Sequence, residues 1–326
     1  MHAVTFKRYG STEVLNYEQV EVPALAFGKV LVRVKSAAVN PLDWRCMAAD
    51  PFLIRLKMGW LKPKQHRLGA DFSGIVEAVG EGVQSFANGD EVLGTTFPDG
   101  LGAFADYVLV DASSIVPKPA NISFDAASTL GIAALTALQG INQYVELGTG
   151  SSVLLNGASG GIGTFAIQIA KSKGAHVTAV CSERNVELVR SLGADEVIDY
   201  TVGDFTQRPA SYDLIFDTVG TKSPGRAKRV LSAQGVVVYA AFDGWLRFGQ
   251  ILAAKTFGRK TGAGAVHLII DLAKGAEPLS KLVKLFEEGL LNPVIDRCYP
   301  IKEFKEAIRY VQTKRARGKV VLKMDA

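Results

Sequence analysis

The segment Asn156-Gly157-Ala158-Ser159-Gly160-Gly161-Ile162-Gly163 constrains this chain more than any other. It follows the short apolar run Val153-Leu154-Leu155. It opens a stretch, Gly163 to Lys173, with apolar positions at Phe165, Ile167, Ile169 and Ala170 that suit a helix. Strand, glycine turn and helix in that order form the context of a dinucleotide fingerprint. Glycine lets the backbone approach a pyrophosphate closely. The helix N-terminus adds unpaired N–H groups and the positive end of its dipole. Against the pattern G-x-G-x-x-G, Ala158 replaces the first glycine, while Gly160 and Gly163 hold the second and third places. A purely structural turn has similar composition, so the surrounding elements must decide.

They favour a nucleotide. Val177 to Cys181 reads as the next strand, Asn185 to Leu192 as a short helix and Glu196 to Tyr200 as a third strand. Asp213 to Val219 and Gly235 to Ala240 are further buried strands, and alternation of this kind implies an α/β, doubly wound parallel sheet. The first third differs. Lys29 to Ala38 alternates apolar and charged residues, Phe72 to Val79 and Tyr107 to Val110 are strand-like, and glycine turns separate them. That texture suits a small barrel or curved sheet. Ser123 is an N-cap candidate for a helix-friendly stretch to Leu138. Leu279 to Glu288 and Lys302 to Lys314 are amphipathic, and Lys319 to Lys323 is a terminal strand. A chain of 326 residues suits two domains at about 150 residues each.

The tip of the second strand bears on which dinucleotide binds. Glu183 lies about 20 positions beyond the turn, where an acidic residue would take a ribose 2′-hydroxyl, so NADH stays open. The strand itself ends at Cys181, followed by Ser182, with Arg184 just beyond. Small, uncharged residues and a cation suit the 2′-phosphate of NADPH, with Glu183 turned to solvent. Ala240-Ala241-Phe242 ends a later strand at the sheet edge where ligands bind in such folds, so Ala240 and Phe242 join the cofactor-binding candidates.

Composition excludes other classes. Cys46, Cys181 and Cys298 are far apart, and the four histidines show no metal-ligand spacing. Sparse cysteines suit a reducing compartment. The first twenty residues lack a signal-peptide core and no apolar run approaches the ~20 residues of a membrane span, so a cytoplasmic protein without an integral membrane segment is expected. A net charge of +5 is too small to argue for nucleic acid. The basic tail Lys314, Arg315, Arg317 and Lys319 reads as cations favoured by a helix C-terminus.

Several stretches together carry a resemblance: Asn40-Pro41-Leu42-Asp43-Trp44, Leu68-Gly69-Ala70-Asp71-Phe72-Ser73-Gly74, Gly102-Ala103-Phe104-Ala105-Asp106-Tyr107, Leu135-Thr136-Ala137, the glycine turn, Ser191-Leu192-Gly193-Ala194-Asp195 and Arg317-Gly318-Lys319-Val320-Val321-Leu322. Over nearly its whole length the chain resembles the zinc-independent quinone oxidoreductase branch of the medium-chain dehydrogenase/reductase superfamily. The resemblance implies an N-terminal GroES-like β-barrel catalytic domain (1–122), an inserted Rossmann NADP-binding domain (123–264) and a C-terminal return to the catalytic domain (265–326), with the nicotinamide between the domains. Zinc relatives carry a Cys near the place of Asn40 and Gly-His-Glu at Gly69-Ala70-Asp71, and many add a four-Cys lobe. Those ligands are missing here, and nothing in the spacing of Cys46, His66 and Asp71 makes a substitute set.

The resemblance further implies hydride transfer from NADPH to a small-molecule quinone or α,β-unsaturated carbonyl. It places Asn40 and Asp43 in the active-site loop, Asn40 bonding the nicotinamide ribose or the substrate oxygen and Asp43 holding the loop. Arg45 stands where relatives often have Tyr or Lys; a permanent cation there would stabilise an enolate while water supplies the proton. Thr136 would face the nicotinamide and Tyr200 the adenosine phosphate. Asp217 and Val219 would pass beneath the nicotinamide half. A homodimer through the edge strand of the dinucleotide sheet is expected. Two other functions stay open: NAD(P)-dependent alcohol or aldehyde turnover, and a non-catalytic nucleotide-binding protein acting as redox sensor or RNA binder. One stretch, Met47 to Arg67, interleaves Phe52, Leu53, Ile54, Leu56, Met58 and Trp60 with Lys and Arg. It reads as a lid over an apolar substrate, a membrane-surface or partner contact, or a surface helix packed on the barrel. Trp245, Leu246 and Phe248 are candidates for the other wall of the pocket.

Overall fold

Strand residues of two patterns, alternating and continuously apolar, sort this chain into two units. The computed structural model describes residues 1–52, 54–64, 66–97, 100–209, 211–240, 249, 265–268 and 276–325. Its strands are β1 (His2–Phe6), β2 (Leu15–Gln19), β3 (Lys29–Val39), β4 (Asp71–Val79), β5 (Glu91–Thr95), β6 (Tyr107–Asp111), β7 (Ile115–Pro117), β8 (Ser152–Asn156), β9 (His176–Cys181), β10 (Glu196–Asp199), β11 (Tyr212–Asp217), β12 (Leu231–Tyr239), β13 (Ala265–Leu268), β14 (Ile295–Pro300) and β15 (Lys319–Lys323). The α-helices are α1 (Pro41–Ala48), α2 (Ile54–Met58), α3 (Phe124–Ala127), α4 (Ile132–Asn142), α5 (Gly163–Ser172), α6 (Val186–Ser191), α7 (Pro224–Ala227), α8 (Ala276–Glu287) and α9 (Phe304–Gln312).

The first unit comprises Met1–Leu135, Lys274–Glu287 and Pro293–Ala326. Its seven-stranded sheet runs β14-β15-β3-β4-β5-β7, with β6 paired to β3. The long strand β3 organises it, pairing antiparallel with β4, β6 and β15. Phe6, Val32, Met47, Leu68, Phe72 and Phe104 form the dry centre of this unit, and Phe304 and Ile308 of α9 close it. The chain's end therefore returns to its beginning. β3 alternates only at its middle, where Arg33 and Lys35 are half-buried between buried Val32, Val34 and Ser36; Val30 to Val32 and Ser36 to Val39 are buried without interruption.

The second unit comprises Thr136–Ala273 and Glu288–Asn292. Its six strands run β10-β9-β8-β11-β12-β13, and the recorded neighbours are parallel. Counted from β8 this is the order 3-2-1-4-5-6 of dinucleotide-binding sheets, with the reversal of direction between β8 and β11. The register pairs Asn156 with Asp217 and Val180, Cys181 with Asp199, and Asp217 with Tyr239. The ends of the strands thus lie along one edge. Val153, Leu154, Leu155, Ile215 and Phe216 are fully buried, as expected where both faces of a parallel sheet are covered.

Three readings of the sequence change. The stretch from Ser123 to Leu138 is not one helix. Ser123 does cap α3, its Oγ accepting the Ala126 N–H, but a 3₁₀ turn at Ser128–Leu130 and a non-helical Gly131 (ψ −125°) interrupt it before α4. The division between units accordingly falls inside α4, after Leu135, because α3 and the 3₁₀ turn pack on β3 and β4. Lys319 does not belong to an exposed basic tail: α9 ends at Gln312, and Lys319 is 3% exposed at the start of β15. Among the described residues no single helix is long and apolar enough to cross a membrane.

Candidate functional site

In the first unit a buried polar network lies where β3, β4, β15 and α4 begin or end. Asn40, directly after β3, is 1% exposed; Asp43 and Asp71 are fully buried. Lys319 Nζ donates to Asn40 Oδ1 at 2.5 Å and approaches the Val39 carbonyl at 3.4 Å. Asn40 Nδ2 donates to Asp71 Oδ2 at 2.8 Å and to the Ala38 carbonyl at 3.3 Å. The Asp71 carboxylate also accepts the Ile132 N–H, at 2.9 and 3.0 Å to its two oxygens, and so caps the first turn of α4. Asp43 Oδ2 accepts the Asn40 N–H at 2.7 Å, and its Oδ1 accepts the Gly69 N–H at 3.1 Å.

This arrangement needs Gly131. A Cβ there would lie 2.1 Å from Asp71 Oδ1, so glycine leaves the room in which the carboxylate reaches the helix. Burial pushes the Asp43 carboxyl up to about 7, against the pull of the two amide donors. Burial also raises Asp71 and lowers Lys319, and their mutual attraction opposes both shifts.

The network tests the fit of a metal. A divalent cation needs about three N, S or O ligands around an open position. Here an ammonium already occupies the neighbourhood, bonded to Asn40, and both carboxylates are held by N–H donors. Cys46 packs in the core, His66 is exposed, and among the described residues no three His, Cys, Asp or Glu side chains are grouped to hold an ion. These residues do not fit zinc.

Asn40 is itself part of the network, its Nδ2 bonded to Asp71 and Ala38 inside the protein. What Asn40 does here is hold the corner between β3 and α1. That helix carries Trp44 and Arg45, whose guanidinium lies 5.2 Å from the Trp44 ring centroid. Thr136 is buried on α4, one turn beyond the Ile132 that Asp71 caps.

In the second unit the glycine turn joins β8 to α5. Gly157 has φ +86°, and a Cβ on it would meet Thr218 Oγ1 at 2.4 Å and Val219 Cγ2 at 2.6 Å. A Cβ on Gly163 would meet the Gly157 carbonyl at 2.3 Å, so the third glycine lets α5 pack onto the turn. Gly160 is different: the nearest atom to its Cβ would be the Gly157 carbonyl oxygen at 3.4 Å, an unstrained contact. The protein's own packing therefore does not require glycine there, and the space it leaves fits a pyrophosphate drawn close to the backbone. Ser159, Gly161 and Ile162 complete the turn around that space. Ala158 is fully buried and donates its N–H to Val180 O, so it shapes the turn from inside.

The remaining expected residues line the same sheet edge. Cys181 is buried, and burial pushes its thiol up to about 11, which leaves it inert as a nucleophile. Ser182 begins the 3₁₀ turn Glu183–Asn185; Arg184 is exposed on that turn, and Tyr200 is exposed just after β10. Asp217 is turned inward: its Oδ1 accepts Asn156 Nδ2 at 2.8 Å, the Val219 N–H at 2.9 Å and the Gly220 N–H at 2.6 Å. It moulds the Thr218-Val219-Gly220 turn against Gly157 rather than presenting a charge. Ala240 donates its N–H to Asp217 O. Phe242, Trp245, Leu246 and Phe248 lie outside the described residues.

Sequence reasoning missed Lys319, the bridging role of Asp71, and Asn185. Asn185 Nδ2 donates to Ser159 Oγ at 2.8 Å and Ser182 Oγ at 3.3 Å, tying the glycine turn to the end of β9. Lys319 heads an ordinary strand pattern, and only the pairing of β15 with β3 brings it to Asn40.

Comparison with known proteins agrees with this geometry. Residues 27–120 match the alcohol dehydrogenase GroES-like domain family, and residues 192–322 match the zinc-binding dehydrogenase family. The chain is 34% identical, over 99% of its length and 89% of the relative's, to the mitochondrial NAD(P)H oxidoreductase RTN4IP1 of Bos taurus. It is 31% identical to the chloroplastic NADPH-dependent alkenal/one oxidoreductase of Arabidopsis thaliana, over 99% of this chain and 79% of that one. The solved quinone oxidoreductase from Coxiella burnetii superposes with a TM-score of 0.88 at 31% identity, covering 100% of this chain and 99% of the other. With a GroES-like unit, a 3-2-1-4-5-6 dinucleotide sheet and relatives of this kind along its whole length, the chain belongs to the medium-chain dehydrogenase/reductase superfamily, in its quinone oxidoreductase-like branch.

Proposed function

We propose that this chain is an NADPH-dependent reductase that delivers hydride to a quinone or an α,β-unsaturated carbonyl without a catalytic metal. The observation that carries the reading is the Lys319 ammonium bonded to Asn40 beside Asp71. At the two places where zinc relatives hold ligands, this chain has an amide bonded to an internal cation and a carboxylate bonded to that amide and to the first turn of α4. Without a Lewis acid, oxidation of a simple alcohol loses its usual source of alkoxide stabilisation, whereas an activated double bond or a quinone needs none.

NADPH, when bound, supplies the hydride. Ser159, Gly160, Gly161 and Ile162, at the N-terminus of α5, hold its pyrophosphate. Ser182, Arg184 and Tyr200 receive the 2′-phosphate end, and Thr136 orients the nicotinamide end. Hydride addition leaves negative charge on the acceptor oxygen. Arg45, which stays protonated, stabilises that oxygen, and water delivers the proton. Asn40, Asp43, Asp71 and Lys319 act on the reaction indirectly: they fix the corner that carries Arg45 and the first turn of the helix that carries Thr136.

A panel of acceptors tests the proposal. Oxidation of NADPH and of NADH is followed by absorbance with a benzoquinone, an enone and an aldehyde, alcohol oxidation is followed in reverse, and bound metal is measured on the same preparation. The expected outcome is turnover with quinone or enone, preference for NADPH and no stoichiometric zinc. Alcohol oxidation by a zinc-loaded protein, or binding of nucleotide with no turnover of any acceptor, overturns it. The alkenal/one and quinone activities named for the relatives support the choice of acceptors.

A further inference from the structure

The segment from Pro51 to Arg67 takes no part in the chemistry above. It holds five Lys or Arg residues (Arg55, Lys57, Lys62, Lys64 and Arg67) and no Asp or Glu, in a chain with 32 acidic residues and a net charge of only +5. Four of its large apolar residues are turned outward. Phe52 is 47% exposed, Leu56 68%, Trp60 56% and Leu61 87%. Phe52 and Trp60 meet edge to face, their centroids 5.1 Å apart. The apex is held from beneath: Tyr9 Oη donates to the Gly59 carbonyl at 2.7 Å, Lys64 N donates to the Met58 carbonyl at 2.6 Å, and Gly59 and Pro63 are buried. Gly59 has φ +117°, and a Cβ on it would meet the Lys62 carbonyl at 2.2 Å, so the turn that lifts Trp60 and Leu61 outward requires glycine. Arg55 lies over both Tyr9 and Phe52, 4.7 and 4.8 Å from their centroids, and props the aromatic cluster. Lys62, Lys64 and His66 are exposed beside it, and Asp50 is the exposed acid at its edge.

Four large apolar side chains exposed together call for a partner, and a cationic rim with no acid inside it specifies the sign of that partner. Trp and Leu at an apex with flanking Lys is the composition that seats at the boundary between lipid headgroups and acyl chains. α2 has five residues, too few for an interfacial helix, so apolar insertion alone is a weak anchor and must act with the charges. We infer that this segment docks the protein peripherally on an anionic phospholipid surface, with Trp60 and Leu61 inserted and Lys62 and Lys64 on the headgroups. The inference is independent of the proposed chemistry, because docking requires no turnover.

Cosedimentation with vesicles tests it, using the full chain. Vesicles of phosphatidylcholine alone are compared with vesicles containing about 30% phosphatidylserine, at low salt and at about 0.5 M salt. The expected result is binding to the anionic vesicles that is lost at high salt, with a blue shift in tryptophan emission that Trp60→Ala abolishes. Each of Lys62→Glu and Lys64→Glu is expected to weaken partitioning roughly five-fold or more. Trp60→Ala/Leu61→Ala should weaken it while leaving NADPH oxidation by a water-soluble quinone unchanged. All of these side chains are exposed, so unaltered thermal midpoints serve as the folding control. The inference is overturned by absence of binding to anionic vesicles at low salt, or by equal binding of the variants. It is also overturned if Trp60→Ala/Leu61→Ala changes KM for the soluble quinone or the oligomeric state but not sedimentation; the segment would then cover a substrate or a second copy of the chain.

Discussion

Lys319→Met removes the one cation from the buried network and nearly preserves its volume. In the parent, Nζ satisfies Asn40 Oδ1 and offsets the charges of Asp71 and Asp43. In the variant, two buried carboxylates keep their N–H donors but lose their counter-charge, and the Asn40 carbonyl loses its partner. Leaving buried carboxylates without the cation that offsets them costs at most what breaking a buried pair from one side costs, about 3–5 kcal/mol. An orphaned amide oxygen adds about 1 kcal/mol or more. For a unit of this size each kcal/mol lowers the midpoint by roughly 2–4 °C, so calorimetry should show a fall of about 8–24 °C. Asp71→Asn added to Lys319→Met removes one of the stranded charges and keeps an oxygen for the Ile132 N–H. The double variant should therefore recover part of the loss, with a coupling energy of about 2 kcal/mol in the thermodynamic cycle. The same cycle is read in kinetics: a network that positions Arg45 and Thr136 should lower kcat in Lys319→Met more than in Lys319→Arg, with KM for NADPH little changed, since the glycine turn lies in the other unit. Additivity of the two substitutions within about 0.5 kcal/mol would refute the argument that Lys319 is the counter-cation of Asp71.

Three further outcomes follow from the geometry. Asp217→Ala strands Asn156 Nδ2 and the Val219 and Gly220 N–H groups, at about 1–3 kcal/mol for each buried donor, and should both lower the thermal midpoint and weaken NADPH binding measured by calorimetric titration. The Asp43 carboxyl, raised to about 7 by burial, binds a proton in the folded state that the unfolded chain releases at a lower pH; its contribution therefore favours folding at low pH and is lost as pH rises through about 7, and Asp43→Asn should flatten the midpoint measured between about pH 5 and pH 8. Ser182→Asp places a negative charge at the end of β9 and is expected to raise KM for NADPH by about ten-fold or more while sparing NADH; an unchanged ratio of the two cofactors would remove Ser182 from the phosphate site.

Periodicity and punctuation alone carry much of this protein. The apolar run of β8, the glycine turn and the helical spacing of α5 are local features, and each depends on neighbours within a few residues: alternating burial, φ sign, the reach of one turn of helix. So the doubly wound sheet and the position of the glycine turn are legible in one dimension. The interruption of α3 and α4 at Gly131 is not, because the cause is Asp71, sixty residues away, taking the space of a Cβ. Lys319 is the sharper case. As sequence it is one more lysine after a basic helix; as structure it is the buried cation at the corner between β3 and α1. Antiparallel pairing of β15 with β3 sets Val320 against Val39 and so delivers Lys319 to Asn40, across 279 residues of chain. Burial reverses the meaning of charge: a solvated lysine is nearly indifferent to its surroundings, whereas one taken out of water must find its acids and its acceptor. Tertiary structure alone decides which lysine that is.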